Sequence, residues 1–232
     1  MIDFVKCSVV IPCYNSQNSI KDSIKSVLGQ TYGNFEFLIL DDGSSDDTEK
    51  IIKDYANKDK RIKFFKNNKN LGLTKSLNIL IGMSKGNIIA RQDADDISKK
   101  ERFEHQIKYI DKNNLDGCTS LAISKQTQKK INNFKSYLPL ELVVKYRNPF
   151  IHGSLMLKKE TFNNINNYDE NFIYAQDYKL MTDLMKKNYN VKILKKVLYV
   201  LNTSNNISTN MRKEQDYYAK CVQKSTVPYL KK

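Results

Sequence analysis

Asp93, Asp95 and Asp96 fall within four positions of one another, directly after the run Asn87-Ile88-Ile89-Ala90-Arg91-Gln92. An apolar strand that ends in clustered carboxylates delivers negative charge to the C-terminal edge of a sheet, where open α/β folds bind their ligands. Carboxylates so close repel one another unless a cation lies among them. A hard divalent ion, Mn²⁺ or Mg²⁺, is the partner such oxygens select, and these ions commonly accompany a phosphate-bearing substrate. The same residues also read as a solvated acidic turn in which Asp96 or Ser98 caps a helix. A calcium loop is excluded. Asp93, Asp95 and Glu104 fall at its positions 1, 3 and 12, but Ser98 occupies position 6, which requires glycine.

Two further clusters carry chemistry. In Ile11-Pro12-Cys13-Tyr14-Asn15, a loop at a strand end can lay Tyr14 against a base, or the ring can pack in the core. In Asp41-Asp42-Gly43-Ser44-Ser45-Asp46-Asp47-Thr48, a strand-end carboxylate, an acceptor-only group, can take the N3–H of a uracil or ribose hydroxyls. The octet reads equally as a strand-turn-helix in which Gly43 supplies a positive φ and Asp46 a cap.

These residues must be held by regular elements. Apolar runs at Val5–Ile11, Phe35–Leu40, Arg61–Phe65 and Ile88–Ile89 read as strands, the first ended by Pro12. Helical spacing follows each. It runs from Ser16 (cap Ser16 or Asn18) to Leu28, from Asp46 or Asp47 through Tyr55, at Leu73–Ile81, and at Phe103–Ile110. The alternation predicts a parallel sheet with right-handed crossovers. Beyond it, strands are expected at Leu115–Ile123 and Ser154–Leu157. A loop or hairpin tip is expected at Lys125–Asn133, and helices at Leu138–Tyr146 and Asp177–Lys187. Val191–Leu194 and Val197–Leu201 are strand-like and read as a hairpin, and the tail from Met211 is basic and partly helical. No GxGxxG follows the first strand and no GxxxxGK[ST] occurs, which disfavours a dinucleotide fold and excludes a P-loop.

Lys and Arg number 39 against 25 Asp and Glu, a net charge of +14. The lysines are spread along the chain, so most belong to solvated surfaces, with an anionic membrane or substrate as the partner class the excess favours. Cys7, Cys13, Cys118 and Cys221 show neither CxxC nor metal spacing and are expected as free thiols in a reducing compartment. No basic-then-apolar leader and no apolar run of bilayer length is visible. A cytoplasmic location is expected, with peripheral contact at the inner face of the cell membrane.

Six segments in order, VVIPCYN, SIKSVLGQTY, LDDGSSDDT, NLGLTKSLN, GNIIARQDADD and AQDYKL, together resemble the family-2 glycosyltransferases of the GT-A fold. The likeness covers about the first 110 residues and the stretch near 150–185. It implies an α/β chain read as one domain over residues 1–232. Residues 1–112 form its nucleotide-binding half, 113–205 its acceptor and catalytic-base half, and 206–232 a basic tail. By the same likeness, Pro12, Tyr14 and Asp42 match positions that hold the base, with Asn15 and Asp41 beside them. Asp93 and Asp95 match the DxD pair, Asp95 toward the metal and Asp93 toward the ribose or a metal-bound water. Asp177 matches the general base; read alone it is equally a helix cap. His152 matches an acceptor-side element, although a lone histidine is more often structural.

The implied activity is inverting transfer of a hexose or N-acetylhexosamine from a nucleotide sugar, a UDP-sugar first, to a growing surface glycan or lipid-linked acceptor. Family members often carry an Arg and a His over the diphosphate. Leu201–Ser208 has neither, which leaves Arg212 or Lys213 to supply the charge. Competing readings are a sugar-1-phosphate nucleotidyltransferase, which lacks its glycine- and arginine-bearing phosphate loop here, and a non-catalytic sugar-nucleotide or glycan-binding module. A nucleic-acid binder is a third, and no platform of interleaved basic and aromatic residues supports it.

Overall fold

β1 (Cys7–Cys13), β2 (Phe35–Asp41), β3 (Ile62–Lys66) and β4 (Ile88–Arg91) form the parallel part of one sheet in the computed structural model, which describes residues 6–131, 138–204 and 211–229. Every residue of β1, β2 and β4 is buried. Strands covered on both faces read as continuous apolar runs, which is why they were legible without alternation. Their side chains nevertheless divide by parity. Val10, Leu38 and Leu40 enter one core, and Val9, Ile11, Phe37 and Ile39 the other.

The second core is closed by α1 (Ile20–Leu28), α2 (Thr48–Ala56) and α4 (Arg102–Lys112). The first is closed by α3 (Leu73–Met83), α7 (Gln176–Lys186) and α8 (Arg212–Lys224). Each fully buried aliphatic side chain in these layers contributes ~1.5–3 kcal/mol.

The sheet continues with β5 (Ile97–Ser98), β6 (Gly117–Ser124), β7 (Lys130–Ile131), β8 (Met156–Lys158) and β9 (Val191–Leu201), in the order β3-β2-β1-β4-β8-β6-β9-β5, with β7 paired to β6. β8 enters antiparallel to both β4 and β6, whereas β6 and β9 run parallel. Short α5 (Leu140–Val143), a 3₁₀ turn (His152–Ser154) and α6 (Lys159–Asn164) complete the described elements.

Several expectations change. β1 runs through Pro12. Val10 O accepts from Gln92 N and Cys13 O from Asp42 N, so alternate β1 residues face β4 and β2. Pro12 shares Val10's side but lies past the end of β4, where its missing N–H costs no ladder bond. α1 begins at Ile20 after Ser19, not at Ser16 or Asn18. The Ser16 carbonyl instead accepts from Ser19 N and Ile20 N, and its hydroxyl donates to Tyr14 O. The hairpin read at residues 191–201 is one strand. Register shifts around Leu121 take up the exposed Lys195-Lys196 step, so β9 stays paired with β6 along its length. Lys125–Asn133 contains the β6–β7 turn, and its last two residues lie outside the described region.

Candidate active site

The ends of β1 and β2 are laced together. Tyr14 is 49% exposed. Asn15 sits at φ 46, where an Asn is tolerated; its N–H donates to Ser44 Oγ at 2.9 Å and its Oδ1 accepts from Ser45 N at 3.0 Å. Asp41 Oδ1 accepts from Ser44 N at 3.0 Å, while its buried Oδ2 has no partner among the described residues. Asp42 is more heavily engaged. Its Oδ1 accepts from Asn67 Nδ2 (2.7 Å) and Leu71 N (2.9 Å), and its Oδ2 from Gly72 N (2.8 Å). A carboxylate has about four lone-pair sites, so Asp42 keeps one for a ligand while it pins the 67–72 loop. Gly43 must be glycine: it sits at φ 77, and a Cβ there would meet Lys69 backbone at 2.8 Å. Asp47, not Asp46, is the N-cap of α2 and makes no side-chain cap bond; Asp46 Oδ1 instead accepts from Thr48 N at 3.0 Å, one residue ahead of the cap.

At the end of β4, Arg91 is 4% exposed and grips Asp93 with both arms, at 2.6 and 2.8 Å. Burial opposes the charge on this guanidinium, and the Asp93 carboxylate outweighs that opposition. Asp93 N donates to Tyr199 Oη at 3.1 Å, and Asp93 O accepts from Ser23 Oγ at 2.7 Å. Asp95 and Asp96 are bound from the end of β9. Asn202 Nδ2 donates to Asp95 Oδ2 at 3.1 Å, and Asn202 N to Asp96 Oδ1 at 2.7 Å. Asp96 Oδ2 lacks a well-formed hydrogen bond among the described residues. Burial, and then the neighbouring Asp93, raises the Asp95 carboxyl above its usual range. Burial, and then Asp93 and Asp95, pushes Asp96 up to about 8.

Beneath this loop Arg102, 0% exposed, donates to Gln92 Oε1 (3.0 Å), Ser98 Oγ (2.8 Å) and Arg91 O (2.8 Å). Gln92 Nε2 in turn donates to Asp96 O at 2.9 Å. Ser98 thus braces this buried network and does not cap α4.

The opposite side is built by the 3₁₀ turn and α7. A methyl group on Gly153 would fall 2.7 Å from Asp93 Oδ2, so the turn passes directly against the Asp93 carboxylate. His152 Nε2 is 2.7 Å from Tyr168 Oη, and burial, with Arg91 nearby, holds the imidazole well below its ordinary pKa and therefore neutral. Asp177 stands in the first turn of α7, behind Ala175 in the left-handed region at φ 51. Asn148 Nδ2 donates to Asp177 Oδ2 at 2.8 Å. Burial raises the Asp177 carboxyl, while the Tyr178 backbone N–H, Asn148 and the positive field of Arg91 pull it partly back.

The buried Arg91 is thus ion-paired with Asp93 and within electrostatic reach of His152, Tyr168 and Asp177. Arg212 is exposed at the start of α8; one turn later Gln215 Oε1 accepts from Ala175 N at 3.2 Å. Of the segment Leu201–Ser208, residues 205–208 lie outside the described region.

The residues fit a divalent cation in one respect. Two carboxyls are held at raised pKa by crowding and burial, and Asp96 Oδ2 has no geometric partner. A cation would relieve both conditions. Among the described residues no group of three or more His, Cys, Asp or Glu side chains converges as an all-protein cage.

The profile of the family described as "Glycosyl transferase family 2" matches residues 8–178, from β1 to the residue after Asp177. The chain belongs to glycosyltransferase family 2. Relatives include an uncharacterized glycosyltransferase of Methanocaldococcus jannaschii, 33% identical over 90% of this chain and 76% of its own. Another from Haemophilus influenzae is 28% identical over 96% and 73%.

The fold is the GT-A glycosyltransferase fold, a curled, mostly parallel sheet between helices. S. aureus TarS 1-349, solved in complex with UDP-GlcNAc, is similar to this chain with a TM-score of 0.73 at 21% identity, over 87% of this chain and 59% of its own. The mannosyltransferase PcManGT of Pyrobaculum calidifontis, solved with GDP-Man and Mn²⁺, gives 0.76 at 16%, over 96% and 66%. This glycosyltransferase chain thus spans about three-quarters of the two relatives and about two-thirds or less of these structures.

Arg91, Tyr168, Asn148, Tyr199 and Asn202 were missed as site residues. Arg91 lies inside a segment already singled out, and Asn148 precedes Pro149, a turn signal. Tyr168, Tyr199 and Asn202 carry no local signal, because the pairing of β9 with β5 and β6 and the α6–α7 connection bring them in.

Proposed function

We propose that this family-2 enzyme moves a hexose or N-acetylhexosamine from a nucleoside diphosphate sugar, a UDP-sugar first, to a hydroxyl of a growing surface glycan or lipid-linked saccharide, with inversion. The observation that carries the reading is that the buried Arg91, ion-paired with Asp93, lies within electrostatic reach of Asp177. Pro12, Tyr14, Asn15, Asp41 and Asp42 form the floor for the nucleoside. Asp95, with Asp93, holds a divalent cation, Mn²⁺ or Mg²⁺. Bound there, that ion would take up negative charge on a departing diphosphate without a proton transfer.

Asp177, ionised, accepts the proton of the acceptor hydroxyl. The hydroxyl oxygen bonds the anomeric carbon, the carbon–phosphate-oxygen bond breaks, and the nucleoside diphosphate leaves with that electron pair. A single in-line displacement inverts the centre, through an oxocarbenium-like transition state. Arg91 contributes by fixing Asp93 and by favouring the charged Asp177. His152, neutral and tied to Tyr168, shapes the acceptor side and is not assigned a proton. The exposed Arg212 stands for the cation over the diphosphate.

The nucleotidyltransferase and binding-module readings are not favoured by the family or the fold. No helix among the described residues is long and apolar enough to cross a membrane. The +14 charge supports contact with anionic headgroups at an inner membrane face.

The test is a panel of UDP- and GDP-sugars with Mn²⁺, followed by nucleoside diphosphate release with and without EDTA. Release that EDTA stops supports the proposal. Pyrophosphate exchange with UTP in place of release would overturn it, as would binding without turnover across the panel in the presence of lipid-linked and free saccharide acceptors.

A further inference from the structure

Asp177 is not held by its own helix alone. Its neighbour Tyr178 donates from its hydroxyl to Val144 O at 2.7 Å, and Gln223 Nε2 of α8 donates to Tyr146 O at 2.7 Å. Two helices thereby pin the segment that ends in Asn148-Pro149. Within it, Asn148 Oδ1 accepts from Phe150 N at 3.0 Å, so the carboxamide cannot turn over without losing that bond. Its Nδ2 must face outward, and it donates to Asp177 Oδ2 at 2.8 Å. Among the described residues no other side chain donates to this carboxylate; its remaining hydrogen bonds come from the backbone at the start of its own helix, at Tyr178 and Asp177.

We infer that Asn148 is a positioning residue of Asp177: as the one side chain among the described residues that donates to this carboxylate, it anchors Oδ2 from outside the helix and, with the backbone at the helix start, sets the direction in which the carboxylate meets the acceptor hydroxyl. The inference rests on the reading of Asp177 as general base. The charged and titratable groups around that carboxylate are Arg91 of β4 and Tyr168 of the α6–α7 connection. Neither substitutes for Asn148: Arg91 is committed to Asp93, and the Tyr168 hydroxyl is paired with His152.

The test is a ¹³C titration of aspartate carboxyls in the full chain, with Asp177 assigned by its loss in Asp177→Asn, together with nucleoside diphosphate release from the donor that the panel identifies. Asn148→Ala is expected to move the Asp177 titration upward by about one unit or more, because an amide bond to a carboxylate favours the charged form. It is also expected to lower the high-pH rate plateau by about tenfold or more, with donor KM changed less than about twofold. The near-isosteric Asn148→Asp guards against a folding defect and is expected to give a coupled pair with its upper step higher still.

An unmoved Asp177 titration and plateau in folded Asn148→Ala would overturn the inference, as would a loss of UDP affinity parallel to the loss of rate. Failure of the underlying reading is distinct: Asp177→Asn would then transfer sugar at the wild-type rate, whatever Asn148 does.

Discussion

Arg91 serves two carboxylates from one buried position. It holds Asp93 bidentately and lies within electrostatic reach of Asp177. Lysine cannot reproduce the fork, so Arg91→Lys is expected to free Asp93 and weaken Mn²⁺-dependent UDP binding by about tenfold, read by calorimetry. Asp177 itself should show the cost of its environment. Its folded pKa is raised, so its contribution to stability is present below the unfolded carboxylate pKa of about 4 and is lost as pH rises through the folded value. Asn does not titrate. The thermal midpoint of Asp177→Asn is therefore expected to exceed wild type at pH 7.5 and to converge with it near pH 4. The same sign places the acid limb of wild-type kcat/KM above the ordinary carboxylate range, since the ionised form is the base. At this scale the chain was readable where chemistry needs a rare cluster, as at Asp93 and Asp95. It was not readable where an ordinary Asn or Tyr acquires its role from a partner 29 or 106 positions away, as Asn148 and Tyr199 do.

Elements decide how close those residues can approach. The 3₁₀ turn brings Gly153 so near that a Cβ would meet Tyr199 Oη at 2.5 Å and Asp93 Oδ2 at 2.7 Å. Gly153→Ala should therefore displace Asp93 and reduce metal-dependent nucleotide binding while circular dichroism stays native. Arg102 braces the same loop from below. Arg102→Leu removes a donor from Ser98 Oγ, from the Arg91 carbonyl and from Gln92 Oε1, which keeps Ser98 Oγ, and is expected to cost about 3 kcal/mol in urea unfolding. The parallel half was legible because strands buried on both faces and helices with one apolar stripe have unambiguous patterns. The second half was less so. β9 alternates imperfectly across Lys195-Lys196 and simulates a hairpin, and two-residue β5 and six-residue α6 are too short to show a period.

The whole molecule sets two apolar layers on the two faces of the sheet, and places the candidate site where parallel β1 and β4 give way to antiparallel β8. That change of direction opens the sheet edge to a ligand on one side and to α7 on the other. The burial that forms the layers also silences the thiols, with Cys7 and Cys118 pushed up to about 12, so alkylating agents should leave turnover unchanged.

The central claim is that one carboxylate, Asp177, removes the acceptor proton beside a nucleotide held at Asp93 and Asp95. Single-turnover transfer by Asp177→Asn at saturating donor and Mn²⁺ tests it most directly. A fall of about 10²–10⁴-fold is expected, with UDP affinity within about twofold of wild type. Transfer at the wild-type rate would contradict it.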